Sequence, residues 1–125
     1  MTQGTVTTYV QVALGGALGS VLRFWLGALI GTKAGAPFWG TLFVNVTGSF
    51  VIGFIAALGL RPWKQQLLMV GVLGGYTTFS TFSLQTLELF RAGNSCLAVA
   101  NVALSMVLCL LGAWVGHSLG ARLGQ

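Results

Sequence analysis

Apolar residues run along the chain in four long blocks, at residues 9–31, 38–60, 67–90 and 96–119. Each block is close to the ~20 residues that an α-helix needs to cross the hydrocarbon layer of a bilayer. Short polar punctuation separates them: Lys33 to Pro37, then Arg61-Pro62-Trp63-Lys64, then Arg91 to Ser95. Trp25, Trp39, Trp63 and Trp114 fall toward block ends, where interfacial aromatic side chains gather. The pattern predicts a single domain over residues 1–125, an all-α membrane protein of four transmembrane helices. A cleavable leader is not expected, because no Lys or Arg precedes Arg23 and that residue then interrupts the apolar run.

Composition narrows the class. Hydrophobic residues make up 55% of the 125 positions, mean hydropathy is +0.88, and only 6% of positions are charged. Soluble domains carry roughly a quarter charged residues, so a free-standing water-soluble fold is excluded, and so is a disordered chain. The net charge of +5 comes from Arg23, Lys33, Arg61, Lys64, Arg91 and Arg122 against the single acid Glu88. These basic residues are scattered singly rather than gathered into the patch a nucleic-acid binder needs. Cys96 and Cys109 share one apolar block without a CxxC or a nearby histidine pair, and read as reduced thiols. His117 reads as an interfacial residue near a block end.

Charge placement also bears on assembly. With four spans, Arg61, Lys64 and Arg122 share one side of the membrane, while Lys33 and Arg91 lie on the other, joined by Arg23 if it snorkels outward. So even a balance gives the positive-inside rule little to act on. Insertion in both orientations with antiparallel pairing follows as one expectation, and a weak bias in a single orientation is the alternative. Small residues recur four apart, at Gly15/Gly19, Gly27/Gly31, Gly71/Gly75 and from Gly112 to Gly124. Such rows let helices approach closely in lipid. Because four helices enclose little interior, a homodimer of eight is expected.

Polar residues inside spans are costly and point to function. Thr41, Asn45 and Thr47 fall in the second block, Asn101 and Ser105 in the fourth. Thr77, Thr78, Ser80, Thr81 and Ser83 crowd the middle of the third, after Gly74-Gly75. Two glycines followed by β-branched residues favour an interrupted helix, whose freed carbonyls could hold a small cation. A continuous helix with hydroxyls bonded to their own i−4 carbonyls is the alternative. Phe79 and Phe82, three apart, share a helix face, and aromatic ring edges are electropositive. Arg23 is the one basic residue well inside a span, and no acid lies at mid-membrane. The signs favour an anion, although Arg23 could instead only anchor its helix.

These residues carry a resemblance. GSVLR (19–23), GTLFVNVTG (40–48) and above all GGYTTFSTFS (74–83) resemble the CrcB/Fluc family of fluoride ion channels over essentially the whole chain. The resemblance implies a dual-topology antiparallel homodimer with two fluoride pathways, a third helix broken near its middle, and a structural Na⁺ on the two-fold axis. It places the Na⁺ on backbone carbonyls of Gly74 and Thr77 from each subunit. It puts the ion pathway at Asn45, Phe79, Phe82, Thr41, Thr81, Ser105 and Arg23. Pairing with a related, unlike subunit stays open. Two departures stand out: Gln85 where the family usually carries Glu, and Cys109 where it usually carries a hydroxyl. Both are expected to tune the pathway.

The function this implies is passive, fluoride-selective efflux from the cytoplasm across the cell inner membrane, which lowers fluoride toxicity. Its partners are fluoride, the bilayer and a second copy of the chain, with no nucleic acid. A proton-coupled multidrug exporter would need a membrane-embedded carboxylate, where the first span offers Arg23. A purely structural subunit has no use for paired Phe amid five hydroxyls. No nucleophile–base pair or metal-ligand cluster suggests an enzyme.

Overall fold

Proline and glycine set the ends of the helical rods. The computed structural model describes residues 3–124, which are helical apart from short turns, with no strand among them. Helix α1 (Gln3–Ala34) leads through Gly35 into α2 (Pro37–Ala57), whose first-turn proline lacks only an N–H that would be unpaired there anyway. Each connection turns on a glycine at positive φ: Gly35 at 78°, Gly59 at 58° and Gly93 at 79°. The third span opens with the single turn α3 (Pro62–Gln65) and widens into a π-helical stretch, Gln66–Leu73. The Gly74 N–H there reaches back five residues to the Met69 carbonyl. One α-turn, α4 (Gly74–Tyr76), follows; Thr77 and Thr78 are extended, and α5 (Phe79–Arg91) resumes the path. Helix α6 (Ser95–Leu123) completes the chain.

Among the described residues, four stretches are long and apolar enough to span a membrane: Gly4–Ala34, Pro37–Ala57, Pro62–Arg91 and Ser95–Leu123. Three run beyond their apolar blocks, because a helical hydrogen-bond ladder continues through polar residues until something breaks it. In contrast α2 stops at Ala57, where Leu58 and Gly59 turn the chain.

Helix α2 packs between α1 and α6, and α1 also lies along the π-helical stretch. These contacts run backbone to backbone. A Cβ on Gly40 would strike the Gly27 carbonyl, one on Gly19 the Val72 carbonyl, and one on Gly53 the Ala113 carbonyl. A small core of Val44, Leu73 and Tyr76, with Leu22, Leu26, Ile52 and Ile55 against it, sits where α1, α2 and the third span meet. Outside it the surface is apolar: Leu14, Val21, Phe24, Trp25, Leu110 and Trp114 are all exposed. So much uncovered hydrocarbon needs lipid or a second chain over it. This is a multi-pass membrane protein.

Candidate functional site

An interruption in mid-span must find partners for the backbone groups it frees, because no bulk water reaches them. At Thr78 the partner is Asn45 of α2. Its Oδ1 accepts the Thr78 N–H at 2.8 Å, and its Nδ2 donates to the Thr78 carbonyl at 2.9 Å. This reciprocal pair satisfies the extended residue as a neighbouring strand would. One amide N–H of Asn45 stays uncommitted. The Thr78 hydroxyl then caps α5: it accepts the Thr81 N–H at 3.3 Å and donates to Thr81 Oγ1 at 3.1 Å.

The diverted N–H groups leave carbonyls behind. In a continuous helix the Gly74 carbonyl would receive the Thr78 N–H, and the Thr77 carbonyl the Thr81 N–H. Here those donors go to Asn45 Oδ1 and Thr78 Oγ1, so both carbonyls lack their helical partners. Gly74 is exposed, and beyond its own helical turn and chain neighbours the Met69 carbonyl oxygen is the one described atom within 4 Å of where a Cβ would stand.

Two clefts flank the interruption. The larger, about 460 Å³, is lined by Arg23, Thr41, Thr78 and Thr81 among others, between α1, α2 and the start of α5. The second, about 320 Å³, is lined by Asn45, Thr77, Thr78, Phe79, Phe82, Ser105, Met106 and Cys109. Thr78 borders both. The rings of Phe79 and Phe82 lie 5.2 Å apart between centroids and are tilted by 51°. Phe82 is buried at 6% exposure, whereas Phe79 is open at 69%. Ser105 is 4% exposed, and its hydroxyl has no hydrogen-bond partner among the described residues.

The sequence model of the family described as "CrcB-like protein, Camphor Resistance (CrcB)" matches residues 10–117. The chain belongs to the CrcB family. Among similar proteins is one of Rhodospirillum rubrum named a fluoride-specific ion channel, 54% identical over an alignment of 119 residues that covers 88% of this chain and 92% of the relative. Relatives of the same name from Opitutus terrae and Methylocella silvestris are 51% and 42% identical, covering 90% and 94% of this chain and 91% and 95% of their own lengths.

In this CrcB chain the expected pathway residues divide between the clefts. Arg23, Thr41 and Thr81 line one, and Asn45, Phe79, Phe82 and Ser105 line the other. Thr77 lines the second cleft, whereas Gly74 is in neither. The hydroxyl-rich run splits too. Thr77, Ser83 and Thr86 bond back to carbonyls four residues earlier, while Thr78, Ser80 and Thr81 bond to one another. Sequence reasoning assigned no site role to three residues. Thr78, noted only within the hydroxyl run, is both the cap of α5 and the border between clefts; a hydroxyl three residues ahead of Thr81 at a helix start was its available signal. Thr86 accepts the Nδ2 of Asn101, buried at 2% exposure, at 2.9 Å, and that link has no local signature. Met106 lines the second cleft, and an apolar side chain within an apolar block carries no signal of that.

Proposed function

We propose that the protein is a fluoride-selective passive channel, working as an antiparallel homodimer with two pathways and a structural Na⁺ on its two-fold axis. The observation that carries this reading is the second cleft. In a CrcB chain, it gathers a spare Asn45 N–H, an unpartnered Ser105 hydroxyl and the Phe79 and Phe82 rings beside a braced interruption. Similar proteins named fluoride-specific ion channels support the ion.

A small anion is strongly hydrated, and an ion of carboxylate size meets an ideal barrier of order 20 kcal/mol in hydrocarbon. A pore must substitute donors for that water without holding the ion too firmly. Arg23, Thr41 and Thr81 gather the anion in the first cleft; in the second, Asn45, Ser105 and the ring edges of Phe79 and Phe82 pass it on. Many weak donors in a narrow lining suit fluoride better than the larger chloride. Among the described residues no carboxylate borders either cleft, which suits an anion and leaves a proton-coupled cation exporter without its exchanging group. Gly74 and Thr77 are the residues that would hold Na⁺. Their partnerless carbonyls are the hard oxygen donors it prefers, and the exposure of Gly74 suits a site shared with a second copy. The ion's fixed charge would add positive potential near the pathways. Residence in the cell inner membrane, with fluoride leaving down its gradient, completes the proposal.

The test is fluoride efflux from proteoliposomes loaded with potassium fluoride, read with a fluoride electrode after valinomycin, against a chloride control. Fast fluoride release without chloride release is expected. Equal release of both ions, or none from a well-folded dimer, would overturn the reading.

A further inference from the structure

The second cleft contains chemistry that the passage of a hard anion does not use. Met106 and Cys109 both line it, and they stand three residues apart on α6, so their side chains occupy one face a single turn from each other. Ser105, four residues before Cys109, brings its buried and partnerless hydroxyl to the same cleft. Across from them are the tilted rings of Phe79 and Phe82. Among the described residues the lining holds no carboxylate and no imidazole.

We propose that this cleft binds a soft monovalent metal ion, of the Ag⁺ or Cu⁺ class, between the sulfur atoms of Cys109 and Met106. Thiolate and thioether ligands select such ions, whereas Zn²⁺ wants four nitrogen or sulfur donors and Mg²⁺ or Ca²⁺ a shell of oxygens. Two sulfurs on one helical turn match the low coordination number that soft monovalent ions accept. The Ser105 oxygen is a weak third donor, and the aromatic rings supply electron-rich faces to a cation. Binding replaces the thiol proton: the S–H bond of Cys109 breaks, an S–metal bond forms, and the proton leaves to solvent. A metal ion held there lies among the residues assigned to the fluoride route, so it should plug that route. This last step rests on the channel reading, whereas the metal site itself does not.

The test uses the full chain with Cys96→Ser, which removes the exposed thiol at the start of α6. Silver nitrate is titrated into detergent-solubilised protein in chloride-free buffer. Bound metal is followed by calorimetry, proton release, and protection of Cys109 from maleimide alkylation by mass spectrometry. One Ag⁺ per chain is expected, with one proton released and Cys109 protected. Cys109→Ser should abolish binding, and Met106→Leu should weaken it roughly 10- to 100-fold. If Cys109→Ser fails to fold, Met106→Leu and the alkylation readout carry the test alone. Unprotected Cys109, or affinity unchanged by Met106→Leu, overturns the site. Fluoride efflux with and without Ag⁺ is the separate arm, each variant compared with its own untreated rate. Block that requires Cys109 supports the plug. Metal binding that depends on both sulfurs while efflux continues would confirm the site and overturn the cleft's place on the route.

Discussion

Asn45 commits its carbonyl and one N–H to the Thr78 backbone and keeps a second N–H free. Its role as a donor to an anion and its role as a brace are therefore bound together in one amide. Asn45→Asp removes the free N–H and the bond to the Thr78 carbonyl, keeps an oxygen for the Thr78 N–H, and sets a negative charge against that carbonyl. Fluoride efflux should be abolished, and thermal melting in detergent should show a loss of about 1–3 kcal/mol from the unmade bond. Phe82 isolates the other kind of donor. Phe82→Ile keeps a buried apolar side chain but loses the ring edge, so efflux should fall about tenfold, equivalent to ~1.4 kcal/mol in barrier. Wild-type efflux from a folded Phe82→Ile protein would remove the ring from the mechanism. The importance of Asn45 could be read from the sequence because an amide in mid-span is costly. Its partner could not, since Thr78 is 33 residues away and only folding brings them together.

At the scale of elements, what holds the third span to its neighbours differs on either side of the interruption. Before it, the π-helical stretch lies against α1 through glycines, with no room for a Cβ between Gly19 and Val72. After it, α5 is tied to α6 by the Asn101–Thr86 hydrogen bond. Thr86→Val preserves shape but strands the buried Asn101 N–H. It should destabilise the protein by about 1–3 kcal/mol in a detergent melt, and a hydroxyl restored by Thr86→Ser should recover most of that. The glycine rows that allow close packing were visible as four-residue repeats. The π-helical geometry was not, because eight consecutive residues of Gln66–Leu73 carry no pattern distinguishing an i→i+5 ladder from an ordinary helix. Likewise Gly74-Gly75 and the threonines after them pointed to an interruption without fixing its residue: both glycines are helical, and the extended residues are Thr77 and Thr78. β-Branched side chains favour extended backbone, and Asn45 supplies the missing hydrogen bonds at that position.

For the whole molecule, the decisive property is how little of it one chain can bury. Large apolar side chains are exposed along α1 and α6, and the clefts lie open on the surface of a single copy. The proposed antiparallel dimer answers this, and it makes a topological prediction. Cys96, exposed at the start of α6, should be labelled by a membrane-impermeant maleimide from both faces of the membrane, about half of the chains from each. A Cys109→Ser background confines the reading to Cys96. Labelling from one side alone would leave a single orientation and rule out the antiparallel pair.

By itself the sequence determined that this is a membrane protein of four helical spans, because hydrophobic length against bilayer thickness is a local property that needs no neighbours. It also marked the mid-span residues worth following, since each polar group in hydrocarbon is costly wherever it ends up. Tertiary structure alone decided how those residues are shared out: Arg23, Thr41 and Thr81 to one cleft, Asn45, Phe79, Phe82 and Ser105 to the other, with Thr78 bordering both. It also decided which backbone carbonyls lose their helical partners. Both depend on where α2 and α6 lie against the third span, which is set by packing between residues far apart in the chain.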